Sequence, residues 1–247
     1  MTPLLTDFTV DSSGVAVLTM CDERRKNALS FEMVAEIEER MAIVQQRDDL
    51  KVLVLAGTDD YFSTGASRAV LEQLATRQAK PRDLLLPRLL LDVPVPVVAA
   101  MAGHAVGGGL ALGVCADITI AARESHYGAT FMRYGFTPGL GLTLLLEHAM
   151  GPGLAHELLL TGRTFRGAHF DGRGGFNYVL ARSDVRAKAL AIARDLAEKP
   201  RLPLVLLKAA LARRKRELFE AARTQEIVMH EATFGTPHVA RLIEELE

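Results

Sequence analysis

The spacing of apolar positions changes several times along the chain, and the changes divide it into elements. Residues 14–20 (GVAVLTM) read as a strand. Ser30 is placed to cap a helix running to about Gln46, with Glu32 and Glu36 toward its positive end. KVLVLAG (51–57) and PVPVVAAMAG (94–103) are continuous apolar runs, expected as strands buried on both faces. The first leads into YFSTGA (61–66) and the second directly into GHAVGGG (103–109), so each ends near a glycine turn. The segment 67–82 is polar and is expected to be helical and mobile. A helix over 110–115 and a strand over 117–122 follow the second turn. From 141 onward the period is helical, over 141–149, 153–160, 184–198 and about 202–233. The alternation predicts an α/β fold, divided into a core (1–190) and a C-terminal helical region (191–247).

Composition narrows the function class. The chain has 247 residues and a net charge of −1, so it has no overall attraction to nucleic acid or membrane. Its two cysteines, Cys21 and Cys115, offer neither a disulfide framework nor metal-ligand spacing, and a cytoplasmic protein with reduced thiols is expected. The N-terminus lacks the basic-then-apolar pattern of a signal peptide, and the most apolar stretch is interrupted by Arg88, Asp92 and prolines. No metal and no cofactor are expected.

Three consecutive glycines between a buried strand and a helix need a cause, because glycine in either element costs about 0.5–1 kcal/mol relative to alanine. One cause is close packing of the helix start on the sheet; the other is a ligand atom approaching the backbone amides. The turn is not G-x-G-x-x-G, and no G-K-S/T follows it, so dinucleotide and P-loop readings fail. A helix start with free N–H groups stabilises an oxygen that gains negative charge. STGAS (63–67) could bring a second amide to the same oxygen, and such a donor contributes about 2.7–4 kcal/mol in a transition state.

RRKNALS (24–30), YFSTGAS (61–67), PVVAAMAGHAVGGGLALGVCADITIAA (96–122) and FTPGLG (136–141) together resemble the crotonase (enoyl-CoA hydratase/isomerase) superfamily over nearly the whole chain. The resemblance implies a crotonase fold, a spiral of β-β-α units with a C-terminal helical region that contributes to the active site and to trimerisation. It implies an oxyanion hole from the amides of Ala66 and Gly108, with Lys26, Ala28, Gly65, Gly107 and Phe131 around the substrate. Family hydratases carry two glutamates where this chain has Ala111 and Phe131. Adding water to an alkene needs groups that hold and deprotonate it; alanine and phenylalanine do neither, and 137–141 supplies no carboxylate of the isomerase kind.

ESHYGATFMRYGFTPGLG (124–141), AEKPRLPLVLLKAAL (197–211) and MHEATF (229–234) resemble, more narrowly, the decarboxylating crotonase homologues of polyketide β-branching pathways. This implies a carboxy-lyase acting on a 3-methylglutaconyl thioester carried on the phosphopantetheine of an acyl carrier protein or CoA, through a dienolate. His230 matches the histidine of the family's M-H-x-x-T-F segment and is the implied acid. Some of these decarboxylases have a tyrosine and a lysine where this chain has Val70 and Leu74, which leaves Arg68, Arg77 and Arg133 as possible cations for the substrate carboxylate. His104, inside the glycine turn, reads as structural. The resemblance also implies a homotrimer or a dimer of trimers. The basic run Lys208, Arg213, Arg214, Lys215, Arg216 reads first as a solvated helix face and alternatively as a docking surface for an acidic carrier protein. Two rival functions stand beside the decarboxylase: an acyl-CoA hydratase or isomerase of general metabolism, and a non-catalytic trimeric scaffold that binds acyl thioesters.

Overall fold

The computed structural model describes residues 4–79 and 86–245. In chain order it contains β1 (Thr6–Val10), β2 (Val15–Met20), α1 (Phe31–Gln46), β3 (Val52–Ala56), β4 (Tyr61–Ser63), α2 (Arg68–Ala75), α3 (Leu86–Asp92), β5 (Val97–Met101), β6 (His104–Val106), α4 (Gly108–Cys115), β7 (Ile118–Ala122) and β8 (His126–Gly128). Then follow α5 (Leu142–Met150), α6 (Pro152–Thr161), β9 (Thr164–Arg166), β10 (Tyr178–Leu180), α7 (Arg182–Ala197), α8 (Arg201–Thr233) and α9 (Pro237–Glu244).

Two sheets grow in step. The larger has the order β1-β2-β3-β5-β7-β10 and the smaller β4-β6-β8-β9. Successive chain segments place one strand in each sheet, β3 then β4, β5 then β6, β7 then β8, which is the expected spiral of β-β-α units. The pairings β2–β3, β3–β5, β5–β7 and β4–β6–β8 are parallel. Every residue of β3 and β5 is buried, as continuous apolar runs require of strands covered on both faces. α7 closes one face of the larger sheet through Val185, Ala189, Ala193 and Ala197 against Val54, Val98 and Ile120. The division drawn at residue 190 falls inside this helix.

Some elements differ from the sequence reading. α2 ends at Ala75, because Arg77 turns into the left-handed region at φ +59°, where its N–H bonds to Leu74 O (3.1 Å) and the Gln78 N–H reaches back to Gln73 O (2.8 Å). The helix expected over 67–82 is thus shorter, and its residues 80–82 lie outside the described ones. β1, α9 and the three-residue strands β8, β9 and β10 have no counterpart among the expected elements, and β6 occupies residues 104–106 of the segment 103–109 read as a glycine turn, which narrows the turn to its last glycines.

The basic run on α8 is not a surface patch. Lys208 is buried and donates to both oxygens of Asp117 (2.8 and 2.7 Å). Asp117 in turn accepts the Val97 N–H (2.7 Å), fastening α8 to the sheet. Lys215 donates to the carbonyls of Val114 and Ala116 (3.2 and 2.6 Å), placing a cation at the negative end of α4. Arg216 donates to Leu91 O (3.2 Å). Arg213 and Arg214 remain outward, both beside Glu217. Consecutive residues on a helix lie about 100° apart, so a basic run cannot share one face.

Candidate active site

Both glycine turns open on one cavity of about 500 Å³, walled by Leu29, Val70, Leu74, Leu112, Phe136 and Phe234 among others. Ala66, Gly108, His230, Gly65, Gly107 and Phe131 all line it. The other two expected substrate contacts do not. Lys26 is exposed, with its ammonium 6.0 Å above the Tyr61 ring centre, and Ala28 sits in the adjoining turn, its carbonyl accepting the Ser30 N–H (2.9 Å). Their segment supports the first glycine turn through Asn27, which sequence reading passed over. The Asn27 side-chain NH2 donates to Met20 O (3.0 Å) and Tyr61 O (2.7 Å), and the Asn27 backbone carbonyl accepts Ser63 Oγ–H (2.7 Å).

The two amides are free for a physical reason. Leu29 and Ala66 form a single parallel bridge, in which Leu29 N–H donates to Gly65 O (2.7 Å) and Ser67 N–H to Leu29 O (3.3 Å). The bridge uses groups flanking Ala66 and leaves the Ala66 N–H unspent. Gly108 begins α4, so its N–H has no carbonyl one turn earlier. Among the described residues neither N–H meets an acceptor. Gly65 takes φ +82°, and a Cβ there would lie 2.9 Å from both Gly108 N and Val106 O. The two causes considered for the glycine run both apply: a Cβ on Gly109 would collide with Ser63 O, a packing demand, while Gly107 takes φ +52° to turn the chain into α4 beside the cavity.

Leu140 and Leu29, both lining the cavity, pack over Gly108. The Leu140 Cδ1 lies 3.1 Å from where a Gly108 Cβ would be. The φ of +64° at Leu140 is a left-handed conformation that costs a residue with a side chain roughly 1–2 kcal/mol. Nothing in the local sequence predicts that conformation.

His230 is buried and reaches the cavity from α8. Its Nε2 lies 2.8 Å from the Thr137 carbonyl oxygen. A carbonyl only accepts, so Nε2 carries the proton and Nδ1 is a lone pair, buried without a partner among the described residues. Burial holds the imidazole below its ordinary pKa, opposed by the carbonyls of Thr137 and Pro138.

Ala111 lies buried inside α4, and Phe131 contributes an aromatic wall packed edge-on to Phe136 (6.0 Å). The carboxylate among the described lining residues is Glu38, exposed on α1. No lysine or arginine is among those lining residues. Arg68 pairs with Glu72 (2.7 Å), Arg133 is exposed, and Arg77 borders a second cavity behind His230. His104 is tied into the fold, its Nδ1 accepting the His126 N–H (2.8 Å).

The chain is similar to known proteins over nearly its full length. The enoyl-CoA hydratase/isomerase family profile matches residues 11–245. The chain is 38% identical to the bacillaene synthase decarboxylase PksI of Bacillus subtilis over 246 residues, covering 100% of this chain and 99% of that protein. A solved structure from a dehydratase/decarboxylase enzyme couple involved in polyketide β-branching superposes with a TM-score of 0.94 at 38% identity, covering 98% of this chain and 99% of that one. The ECH2 decarboxylase domain of CurF from Lyngbya majuscula superposes with a TM-score of 0.91 at 36% identity, covering 98% of each chain. The chain belongs to the enoyl-CoA hydratase/isomerase (crotonase) family, and within it to the carboxy-lyases.

Proposed function

We propose that this chain decarboxylates a 3-methylglutaconyl thioester carried on an acyl carrier protein, giving a 3-methylcrotonyl-type thioester for polyketide assembly. The observation that carries this reading is a cavity that pairs two unspent amides, Ala66 and Gly108, with the apolar wall of Phe131, while Ala111 is buried in α4 behind the lining, so that neither position to which the resemblance assigns a hydratase glutamate offers a carboxylate. The relatives that share this chain's full length support it: one is a bacillaene synthase decarboxylase and another belongs to a β-branching enzyme couple.

The electron balance closes on the substrate. The bond to the carboxylate carbon breaks, CO2 leaves, and its electron pair passes through the alkene to the thioester oxygen between the two N–H groups. The resulting dienolate takes one proton at the γ-carbon, or at the α-carbon for the β,γ-alkene. An apolar wall such as Phe131 disfavours a buried carboxylate and favours neutral CO2. Bringing the anion into this cavity is unfavourable unless a proton accompanies it, and the unpartnered Nδ1 of His230 is suited to hold one. The same proton then serves the dienolate, so His230 acts as the acid.

Self-association fits the remaining surface. Leu202, Leu206, Leu207 and Leu211 stand about 60% exposed on α8, an apolar face that a homotrimer or dimer of trimers would cover. None of the described helices is long and apolar enough to cross a membrane.

A crotonyl thioester discriminates this reading from a hydratase, because it has the alkene and no carboxylate to lose. The expected result is no measurable formation of 3-hydroxybutyryl thioester beyond the uncatalysed rate. Hydration at a rate competitive with decarboxylation would overturn the reading.

A further inference from the structure

Helix α8 holds the cavity wall through a second residue, one turn before His230. Glu226 is buried, and both of its oxygens are engaged. Oε2 accepts the Gly141 N–H (2.7 Å), while Oε1 accepts the Thr143 N–H (3.0 Å) and the Thr143 hydroxyl (2.7 Å). These amides open α5, which has no side-chain cap of its own. The cap position is Gly141, at φ +76° and packed against the Phe219 ring, where a side chain has no room. A helix start without a capping side chain leaves its first N–H groups to find acceptors elsewhere. Here the acceptor comes from a residue 85 positions away.

Residues 226 and 230 lie four apart on one helix face. Glu226 grips the end of the 137–143 turn, and His230 grips its start at Thr137 O (2.8 Å). Between the two grips the turn is pressed against the imidazole: a Cβ on Gly139 would strike His230 Cε1. The next residue is Leu140, the left-handed residue whose Cδ1 packs over Gly108. Burial pushes the Glu226 carboxyl above the ordinary range, opposed by its three donors.

We propose that the Glu226 carboxylate is a positioning residue: it clamps the 137–143 turn so that Leu140 is held against Gly108 and fixes that amide toward the thioester oxygen. The proposal rests on the decarboxylase reading for its kinetic effect but not for its structural one. A misplacement of about 1 Å at a reacting group can cost on the order of 10²-fold in rate. Glu226→Gln keeps the size but puts an NH2 against N–H donors. It is therefore expected to lower kcat by roughly 10- to 100-fold with KM little changed.

The test is a double-substitution cycle with hydrogen–deuterium exchange on the same proteins. Leu140→Ala removes the wall without touching the clamp. In that background Glu226→Gln is expected to cost about threefold or less in kcat, because residues acting through one another are not additive. Exchange is expected to quicken in Glu226→Gln both over 137–145 and over 105–112. Additive losses in kcat, or faster exchange confined to 137–145, would overturn the proposal and leave Glu226 as a helix cap alone. Thr143→Val, which removes only the hydroxyl contact, carries the same test with a milder disturbance if Glu226→Gln does not fold. A wild-type protein that releases no CO2 would contradict the decarboxylase reading, and the exchange arm would still decide the clamp.

Discussion

Gly65→Ala is expected to lower kcat for decarboxylation by about 10²–10³-fold, the loss associated with removing one oxyanion donor. The new methyl would lie 2.9 Å from Gly108 N and from Val106 O, in the space where the two turns meet. The backbone at Gly65 also sits at φ +82°, which a residue with a Cβ resists. A control separates the two effects. Gly151 has φ +76° and nothing within 4 Å of a built Cβ, so Gly151→Ala carries a conformational cost of its own away from the cavity and with no new contact. Stability measured by denaturant unfolding should fall in both variants, and kcat should fall only in Gly65→Ala. A Gly65→Ala protein that keeps kcat within about threefold would remove the oxyanion hole as the main source of rate, since one such donor is worth far more than that.

His230→Ala is expected to lower kcat by about 10²–10⁴-fold, the range for a positioned acid. Alanine also removes the bond to Thr137, so it disturbs the turn as well as the proton supply. His230→Gln separates these roles, because its amide can still donate to Thr137 O but cannot deliver a proton. The account expects His230→Gln to retain normal exchange over 137–145 and to lose rate nearly as severely as alanine.

The pH dependence follows from burial. The imidazole is held below its ordinary value of 6.5, so it is uncharged in the free protein at neutral pH. The active form carries one more proton, and its fraction falls tenfold for each pH unit above the pKa. The ratio kcat/KM should therefore decline as pH rises through the neutral range and level off only below the depressed pKa. In His230→Gln the same profile should be flat. Among the described residues, the other ionisable side chains lining these cavities are Glu38 and Tyr134 beside the glycine turns and Arg77 and Glu231 behind His230. A slope that persists in His230→Gln would assign the proton to a group other than His230.

Much of this site was legible because its physics is local. The runs 51–57 and 94–103 are apolar at every strand position, and β3 and β5 are buried throughout. The glycines that end them are required by turn geometry and close contact at Gly65, Gly107 and Gly109. The parts that were not legible depend on distant partners. β8, β9 and β10 are three residues each, too short for a period to register, and they exist because neighbouring strands supply their hydrogen bonds.

The left-handed backbone at Arg77 and Leu140 leaves no signal, because neither is glycine or asparagine. Glu226 reads as one more acid on a charged helix until α5 is placed against it. The basic run misled for the opposite reason. Its residues are adjacent in sequence, whereas the buried face of α8 runs through Lys208, Ala212, Phe219, Ala222, Glu226 and His230 at helical spacing. Two of the most hydrophilic side chains on that face, Lys208 and Glu226, are buried because each has a built-in partner, Asp117 and the start of α5.

The central claim is that two backbone amides, without hydratase carboxylates, carry out a decarboxylation. Mass spectrometry of an acyl carrier protein loaded with a 3-methylglutaconyl group tests it most directly. The account predicts that the wild-type chain shifts the carrier by the loss of one CO2, and that Gly65→Ala slows this shift while Gly151→Ala does not. A carrier mass that stays unchanged, or that rises by one water, would contradict it.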